Sequence, residues 1–303
     1  MRTDLANFLA ESISRSTTST YCTQALQFFK FCDTQRIDDL DKDALPAYIM
    51  HRVRSGFAYS SIRGAVTALR VSHPRLFNSA AEPKIQTALK AAKRLARPSK
   101  AKKELAWDEM EALRRHIRDK LRKEQTQTGV RDWTFFLVSY LGMFRGAEVA
   151  ALEWQHISFT PEGVMIRIAK SKTDQAGAGA DVRLAANTTN PANCPRALLQ
   201  SLREANKTGQ YVFPGPAGHI SANTMRTLLQ KYLTEMGYGA RAKDYGLHSF
   251  RRGGASAAAR NNVPMNVLKH HGRWRSDVVN IYTTANAASL WNVSQQIVRP
   301  SQH

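Results

Sequence analysis

Candidate catalytic side chains lie at separate places beyond residue 140 of the sequence. Arg145 opens a predicted helix, and Glu148 follows three residues later, where its carboxylate can hold the guanidinium. His248 and Arg251 are also three residues apart, which puts them on one face of a helical turn. Arginine binds phosphate oxygens through two parallel hydrogen bonds, and a tyrosine hydroxyl such as that of Tyr282 can act as a nucleophile. These residue types are therefore suited to chemistry on a phosphodiester.

Two further residues extend this set, while several common site motifs are absent. Lys172 lies beside a glycine-containing turn of a predicted β-hairpin, and Trp274 stands eight residues before Tyr282. The segment HHG at 270–272 lacks the HExxH spacing and a nearby acid, so no metal site is expected. The sequence contains no GxxxxGK(S/T), no GxGxxG after a strand and no GxSxG. Nucleotide-phosphate, dinucleotide and serine-hydrolase sites of these types are therefore not expected.

The charge balance indicates a polyanionic partner. The 303 residues include 44 Lys and Arg against 24 Asp and Glu, which gives a formal net charge of +20. Nucleic acid is the first expectation for such a chain, and an anionic membrane the second. No basic amphipathic membrane helix or lipidation signal stands out, and the longest mostly apolar run, Trp133–Phe144, is shorter than the roughly 20 residues of a membrane span. The expected partner is therefore nucleic acid, with no membrane attachment.

The N-terminus and the cysteines indicate an intracellular protein. Asp4 and Glu11 interrupt the first residues, which do not form the apolar core of a signal peptide. The three cysteines are an odd number without a CxxC pair, so we expect buried free thiols in a reducing compartment. The expected location is with DNA, in the cytoplasm or nucleoid of a bacterial or phage system or in a eukaryotic nucleus.

The N-terminal part of the chain favours helices. Apolar residues recur at three- and four-residue spacing over 20–32, 40–53, 61–73 and 83–97, which predicts four helices. The expected N-cap residues are Thr17 to Thr20 for the first helix and Ser60 and Ser61 for the third. The segment RPSKAKKE that follows has the composition of an exposed basic linker. We therefore divide the chain into an N-terminal domain at 1–97, a linker at 98–104 and a C-terminal domain with a tail at 105–303.

The C-terminal part mixes helices with one hairpin. Helices are expected over 106–123, 132–141, 146–154, 195–206 and 221–238, and again in the alanine-rich segment 242–297 with breaks near 261–264 and 272. The segments GVMIRIAKSKT and ADVRLAA alternate as strands do and are separated by a glycine-containing turn, which predicts a β-hairpin. The predicted fold class is mainly α with a small β-hairpin or sheet, an α+β arrangement.

Four segments together carry a family resemblance. FRGAEVAALEW, IAKSKT, HSFRRG and GRWRSDVVNIYTTA occur in that order, and the sequence resembles the tyrosine recombinases, the phage-integrase family that includes Cre and the Xer proteins. It is also close to integrases of eukaryotic mobile elements. The resemblance implies an N-terminal core-binding domain of four to five helices and a C-terminal catalytic domain, which form a C-shaped clamp on double-stranded DNA.

The resemblance also implies a role for each candidate side chain. Arg145 and Arg251 would clamp the non-bridging oxygens of a DNA phosphodiester, and Tyr282 would attack its phosphorus to form a covalent 3′-phosphotyrosine. Lys172 would protonate the leaving 5′ oxygen as general acid, and His248 would assist proton transfer or bind the phosphate. Because the covalent intermediate keeps the energy of the phosphodiester bond, the reaction needs neither ATP nor metal, and no cofactor is expected.

Some of these assignments have rivals. The family position occupied by histidine or tryptophan falls to Trp274, with Arg273 and His271 as alternatives because the spacing departs from the usual pattern. Lys170 competes with Lys172 as the general acid, and Tyr238 and Tyr245 compete with Tyr282 as the nucleophile. Glu148 is expected to support Arg145, for which the alternative is a helix-capping arginine that only pairs with Glu148.

Contacts with DNA and between protomers follow from composition and resemblance together. Candidate DNA-contacting residues are polar or basic and lie in the N-terminal domain and the linker: Ser60, Arg63, Lys90, Lys93, Arg94, Arg97, Lys100, Lys102 and Lys103. Arg252 is a further candidate for the DNA backbone. The tail carries Leu290, Trp291 and Val293, which either pack on a neighbouring protomer to form a tetramer on DNA or pack on their own domain.

The expected function is that of a site-specific DNA recombinase or integrase. One alternative is a catalytically silent DNA-binding regulator on the same fold, and another is an enzyme of the type IB topoisomerase kind. A silent copy is expected to have lost one of the catalytic residues, whereas Arg145, Lys172, His248, Arg251 and Tyr282 are all present.

Overall fold

Helices dominate the architecture of this chain. The computed structural model describes residues 15–98, 102–124, 128–169, 179–216 and 218–274. The chain separates into two compact units, residues 1–100 and 101–303. In the described part, both units are largely helical and the strands form small antiparallel sheets, which confirms the predicted mainly α fold with a small sheet. None of the described helices has the length and apolar character that a membrane span requires.

The first unit contains the four predicted helices around one core. They are α1 (Arg15–Gln35), α2 (Ala44–Arg54), α3 (Tyr59–Ser72) and α4 (Glu82–Leu95), with a 3₁₀ turn at Pro74–Leu76 between the last two. Apolar side chains from all four helices, including Phe28, Ile49, Leu69 and Ile85, are almost fully buried and form the core. Burial of these stripes, and not intrinsic helix propensity alone, stabilises helices of this length.

Two capping predictions in this unit are wrong. Helix α1 already begins at Arg15, so Thr17, Thr18, Ser19 and Thr20 lie inside it. Helix α3 has Ala58 as its N-cap without a side-chain cap, and Ser60 and Ser61 lie in its first turn. Tyr59 packs against the core at the start of α3, and this apolar contact moves the helix start ahead of the serines.

The second unit contains seven helices and two small sheets in its described part. The helices are α5 (Trp107–Glu124), α6 (Thr128–Leu141), α7 (Gly146–Ala150), α8 (Pro195–Ala205), α9 (Ala222–Leu233), α10 (Leu247–Arg260) and α11 (Met265–Gly272). The larger sheet has the order β1 (Ile157–Thr160), β2 (Gly163–Ile168) and β3 (Ala180–Ala185), all antiparallel, and β4 (Pro214–Gly215) pairs with β5 (Gly218–His219). In the larger sheet, Phe159 pairs with Val164 and Ile166 with Val182.

The structure differs from the sequence expectations at three of these elements. The helix after Arg145 ends at Ala150 and not near 154, because Trp154 is buried and its main-chain N–H donates to the Gln210 carbonyl. The predicted hairpin has a third strand, β1, whose residues are half-buried or exposed and therefore lack a clear alternation. The helix predicted over 221–238 ends at Leu233 and continues as an irregular turn in which Gly237 has a positive φ.

The segment from residue 102 is attached to the second unit by its backbone. Lys102 and Lys103 keep exposed side chains, but the Lys103 N–H donates to the Asp244 carbonyl over 2.9 Å and the Lys102 ammonium donates to the Lys243 carbonyl. Leu105 follows as a fully buried residue. The side chains of Lys102 and Lys103 are therefore exposed although the segment is bound to the second unit.

The cysteines follow the expectation in two cases out of three. Cys32 and Cys194 are buried free thiols, and the Cys194 sulfur accepts from the Ala197 N–H at the start of α8. Cys22 is exposed, so the expectation of a buried thiol is wrong there. It is not among the α1 residues that pack against the core.

Two glycines allow α10 to approach its neighbours closely. A Cβ at Gly253 would lie 2.0 Å from the Leu105 carbonyl oxygen, and one at Gly254 would lie 2.3 Å from the Tyr140 carbonyl oxygen. Both neighbours are backbone atoms, which cannot rotate away. Gly253 therefore sets the distance from α10 to the segment before α5, and Gly254 sets the distance from α10 to α6. Helix α10 carries His248 and Arg251 on its first turns.

Replacing Gly253 with alanine should destabilise the second unit by about 1–3 kcal/mol, as overpacking of a filled core does. The matched control is Gly64→Ala in the middle of α3, where a Cβ meets nothing within 4 Å. That substitution should stabilise the protein by up to about 1 kcal/mol, because alanine is the better helix former. Urea unfolding measures both effects, and equal midpoints for the two variants would contradict the packing argument.

Candidate active site

Arg145 is held in place by Glu148 on one short helix. Arg145 is the N-cap of α7, and its main-chain N–H donates to Glu148 Oε2 over 2.9 Å. Its guanidinium Nη1 donates to Glu148 Oε1 over 2.7 Å, which is the ion pair expected from the three-residue spacing. The Glu148 side chain is only 6% exposed, whereas that of Arg145 is 27% exposed. The guanidinium of Arg145 is therefore accessible to solvent, while the carboxylate of Glu148 that binds it is buried.

Glu148 also binds a second arginine, Arg273, which lies 125 residues further along the chain. Arg273 Nη2 donates to Glu148 Oε2 over 3.1 Å. Burial alone would raise the pKa of Glu148, but Arg273, and after it Arg145, outweigh burial and lower this pKa below its ordinary value. Glu148 is consequently an anion between two cations.

Arg251 points into the protein from the first turns of α10. It is 1% exposed, its Nη2 donates to the Gly272 carbonyl over 2.7 Å, and its Nη1 donates to the Met143 carbonyl. The ring of Trp274 covers it, with the guanidinium carbon 4.2 Å from the ring centroid. A buried guanidinium needs such compensation by carbonyl oxygens and an aromatic face. Arg251 thus connects the loop before Arg145 with the end of α11.

His248 stands at the start of α10, where this helix meets α7. A Cβ at Gly146 would lie 2.3 Å from Leu247 Cδ1, so the two helix N-termini are in direct contact. His248 is exposed as a residue, but desolvation and then the charges of Arg251, Arg252 and Arg145 lower its pKa below the ordinary value. The imidazole is therefore neutral at pH 7 and can accept a proton.

The three alternatives for the histidine or tryptophan position make different contacts. Trp274 is half-buried over Arg251. His271 Nε2 donates to the Leu141 carbonyl over 2.8 Å at the end of α6, and the Arg273 guanidinium is bound to Glu148 and to main-chain carbonyls. Among these contacts, the Trp274 ring is the one side chain of the three that packs on Arg251. The ion pair between Arg273 and Glu148 was missed by the sequence reasoning, because nothing in the local pattern connects residues this far apart.

The two rival tyrosines, Tyr238 and Tyr245, are hydrogen-bonded to a carboxylate. The hydroxyls of Tyr238 and Tyr245 both donate to Glu109 Oε1, over 2.8 and 3.1 Å. Burial and Glu109 raise the pKa of both phenols, in the case of Tyr245 to about 12. An anionic partner of this kind opposes deprotonation, so neither hydroxyl is suited to nucleophilic attack.

The remaining candidates divide into exposed residues and residues outside the described ranges. Ser60 and Arg63 on α3 are exposed, as are the four basic residues at three- and four-residue spacing on and after α4, Lys90, Lys93, Arg94 and Arg97. Lys100, Lys170, Lys172 and Tyr282 lie outside the described residues, as does the tail with Leu290, Trp291 and Val293. Within the described ranges, no group of three or more His, Cys, Asp and Glu side chains has the arrangement of a metal site.

Comparison with known proteins decides the family. A model of the phage integrase family matches residues 103–289, which is more than half of the chain. The chain belongs to the phage integrase family. This family assignment confirms the resemblance found in the sequence.

One curated member of the phage integrase family is similar in sequence. The integrase/recombinase XerD homolog of Selenomonas ruminantium is 25% identical over 169 residues, which are 51% of this chain and 47% of that protein. The match thus spans just under half the length of this relative.

Solved structures of other integrases share the fold. The Tn1549 transposon integrase in complex with transposon right end DNA has a TM-score of 0.69 at 10% identity, covering 97% of this chain and 98% of that one. A lambda integrase dimer bound to a COC' core site has a TM-score of 0.60 at 15% identity, covering 91% and 74%. At these identities the likeness concerns the fold.

The pKa of His248 provides a test of the cationic surround. Titration by NMR should give a value below the ordinary 6.5, and Arg252→Gln should move it up toward 6.5 because one positive charge is removed. The pKa of His248 is lower in the folded state than in the unfolded state, so the unfolded chain binds more protons at a pH between these two values. The free energy of unfolding therefore decreases as the pH falls through that window. Arg260→Gln, at the far end of α10, is the control and should leave the titration unchanged. A wild-type pKa at or above 6.5 would contradict the proposed geometry.

Proposed function

We propose that this phage integrase family member is a tyrosine-type DNA strand transferase, a site-specific recombinase or integrase. Tyr282 attacks the scissile phosphorus, a covalent 3′-phosphotyrosine forms, and the 5′ oxygen leaves as a hydroxyl after protonation. Attack of a 5′-hydroxyl on the phosphotyrosine then rejoins a strand and releases the tyrosine. The number of phosphoester bonds is conserved, so no ATP is consumed.

The observation that carries this proposal is the meeting of Arg145 with His248 and Arg251, which lie far from it in the sequence. Arg145 is the N-cap of α7, whereas His248 and Arg251 lie on α10, and the charges of Arg251 and Arg145 act on His248 where the two helices meet. Attack on a phosphodiester increases the negative charge on the non-bridging oxygens, and preorganised guanidinium groups stabilise that charge. The neutral imidazole of His248 is in the protonation state that accepts a proton from an attacking hydroxyl.

Arg251 needs a rearrangement before it can serve as the second phosphate ligand. Its guanidinium is buried beneath the ring of Trp274, and Trp274 is the last residue that the structure describes. We propose that entry of the phosphate shifts the Trp274 ring to the side, so that Trp274 and Arg251 both face a non-bridging oxygen. Binding of the correct DNA would then complete the site.

Double-stranded DNA is the proposed partner of both units. The net charge of +20 favours a polyanion, and the exposed basic row Lys90, Lys93, Arg94 and Arg97 can contact phosphates at positions that do not depend on base sequence. The DNA complexes named for the Tn1549 and lambda integrases support the same partner. We further propose that residues 1–97 form a DNA-binding domain, which a linker joins to the catalytic domain. We also propose that the tail holds four protomers together as a tetramer.

Tyr282→Phe should abolish covalent attachment to DNA while duplex binding stays nearly unchanged, because the substitution removes the nucleophilic oxygen and no charge. The substrate is a duplex from the DNA that flanks the gene, nicked beside the cleavage position so that the adduct is trapped, and the readout is an SDS-resistant complex. Tyr238→Phe and Tyr245→Phe are the matched controls and should keep the adduct. An adduct formed by Tyr282→Phe would refute the nucleophile, and a wild-type chain that binds without any adduct would indicate the silent DNA-binding regulator.

Lys172 can be distinguished from Lys170 by the leaving group. A general acid matters only when the leaving group is poor, and a bridging 5′-phosphorothiolate expels a thiolate that needs little protonation. Lys172→Ala should be slow on ordinary DNA and substantially rescued on the sulfur-containing strand, whereas Arg145→Ala should stay slow on both. Lys170→Ala should cleave almost normally. If Lys170→Ala were slow on ordinary DNA and rescued on the sulfur-containing strand instead, Lys170 would be the general acid and not Lys172.

A further inference from the structure

The carboxylate of Glu148 is shared by two arginines that are distant in sequence. Arg145 Nη1 binds Oε1 over 2.7 Å, and Arg273 Nη2 binds Oε2 over 3.1 Å. Glu148 Oε2 also accepts the main-chain N–H of Arg145. Each carboxylate oxygen therefore has a cationic donor, and the buried carboxylate is prevented from rotating.

Arg273 is bound to protein oxygens at both ends of its guanidinium. Besides its bond to Glu148, Nη1 donates to the carbonyls of Gly142 and His271, each over 3.2 Å, and Nη2 donates to the Met143 carbonyl over 3.3 Å. The guanidinium lies over the Phe144 ring, 4.6 Å from its centroid, and the side chain is 9% exposed. Arg273 thus fastens the end of α11 to the loop that leads into Arg145.

The backbone of Arg273 adds a second observation. Its φ is +58°, the left-handed conformation, and it ends α11 with the hydrogen bonds of a Schellman motif, from Arg273 N–H to the His270 carbonyl and from Trp274 N–H to the Lys269 carbonyl. Glycine is the residue that adopts this conformation without strain, and other residues persist there when their surroundings require them. Glycine would lose the guanidinium, which is the group that binds Glu148.

We propose that Arg273 is a positioning residue for the reaction: through Glu148 it holds the Arg145 guanidinium at the phosphate, and it does not itself bind the phosphate. This inference rests on the proposed strand-transfer function. Electrostatically, Glu148 alone would neutralise Arg145, and Arg273 restores a net positive charge to the three groups. Without Arg273, the carboxylate is free to turn toward Arg145 and to draw its guanidinium out of position.

The test is single-turnover cleavage of the nicked duplex by Arg273→Gln, Arg145→Ala and the double variant. Arg273→Gln should slow cleavage about 10- to 100-fold, the scale of a small misplacement of a catalytic group, with little change in duplex affinity. The double variant should be no slower than Arg145→Ala, because nothing remains for Arg273 to position. Multiplied losses in the double variant would show that Arg273 acts on the phosphate directly and would overturn the proposal. Arg260→Gln, which removes an ion pair with Glu104 in the same unit, is the matched control and should cleave normally.

A second substrate separates positioning from a merely structural role. A methylphosphonate at the scissile position lacks one anionic oxygen, so it depends less on Arg145. The loss caused by Arg273→Gln should shrink on this substrate in parallel with the loss caused by Arg145→Ala. Equal losses on both substrates would indicate a structural role only and would overturn the proposal.

Two additional variants keep the inference testable if Arg273→Gln does not fold. Arg273→Lys keeps the charge but not the fork that reaches several acceptors, so it should fold and show a partial loss with the same dependence on Arg145. Glu148→Gln removes the charge that Arg273 balances, so adding Arg273→Gln to it should cost little further. A wild-type chain that forms no adduct refutes the proposed function itself, whereas these comparisons concern Arg273 in an active enzyme.

Discussion

One buried carboxylate organises the cationic side chains of the second unit. Glu148 is 6% exposed, and a charge at such a position is tolerated only when opposite charges and hydrogen-bond donors surround it. Arg145 and Arg273 supply both, from the start of α7 and the end of α11. The two arginines would repel each other without the carboxylate between them, so the positions of both depend on it.

The loop between α6 and α7 receives the other connections. Met143 has a positive φ, and its carbonyl accepts from Arg251 and Arg273, while the Leu141 carbonyl accepts from His271. Helices α10 and α11 are therefore attached to the same few carbonyls that precede Arg145. The close approach of α10, which Gly253 and Gly254 allow, accompanies a direct contact between Leu247 in its first turn and Gly146 at the start of α7. The geometry of the site therefore depends on the packing of the core, because a shift of α10 would move His248 and Arg251 together.

An excess of positive charge at this place has a chemical consequence. Burial, and after it the charges of Arg251, Arg252 and Arg145, lower the pKa of His248. Arg273 adds a fourth guanidinium beside the carboxylate of Glu148. Such a site attracts an anion and offers it both hydrogen-bond donors and a proton acceptor. Phosphodiester chemistry uses this combination, whereas the hydroxyls of Tyr238 and Tyr245 donate to the carboxylate of Glu109.

The sequence by itself determined the helical composition, the family and the identities of the candidate residues. Apolar periodicity is a local property, so it predicted the helices that the structure contains, and the i to i+3 spacing of Arg145 and Glu148 predicted their ion pair. Tertiary structure alone decided the rest. The start of α3 at Tyr59, the exposure of Cys22, the burial of Arg251 under Trp274 and the bond from Arg273 to Glu148 depend on which distant atoms lie opposite each residue. The energies of these buried guanidinium groups depend on acceptors such as the Met143 carbonyl for Arg251 and the Glu148 carboxylate for Arg273, which lie 108 and 125 positions away, and local patterns contain no information about them.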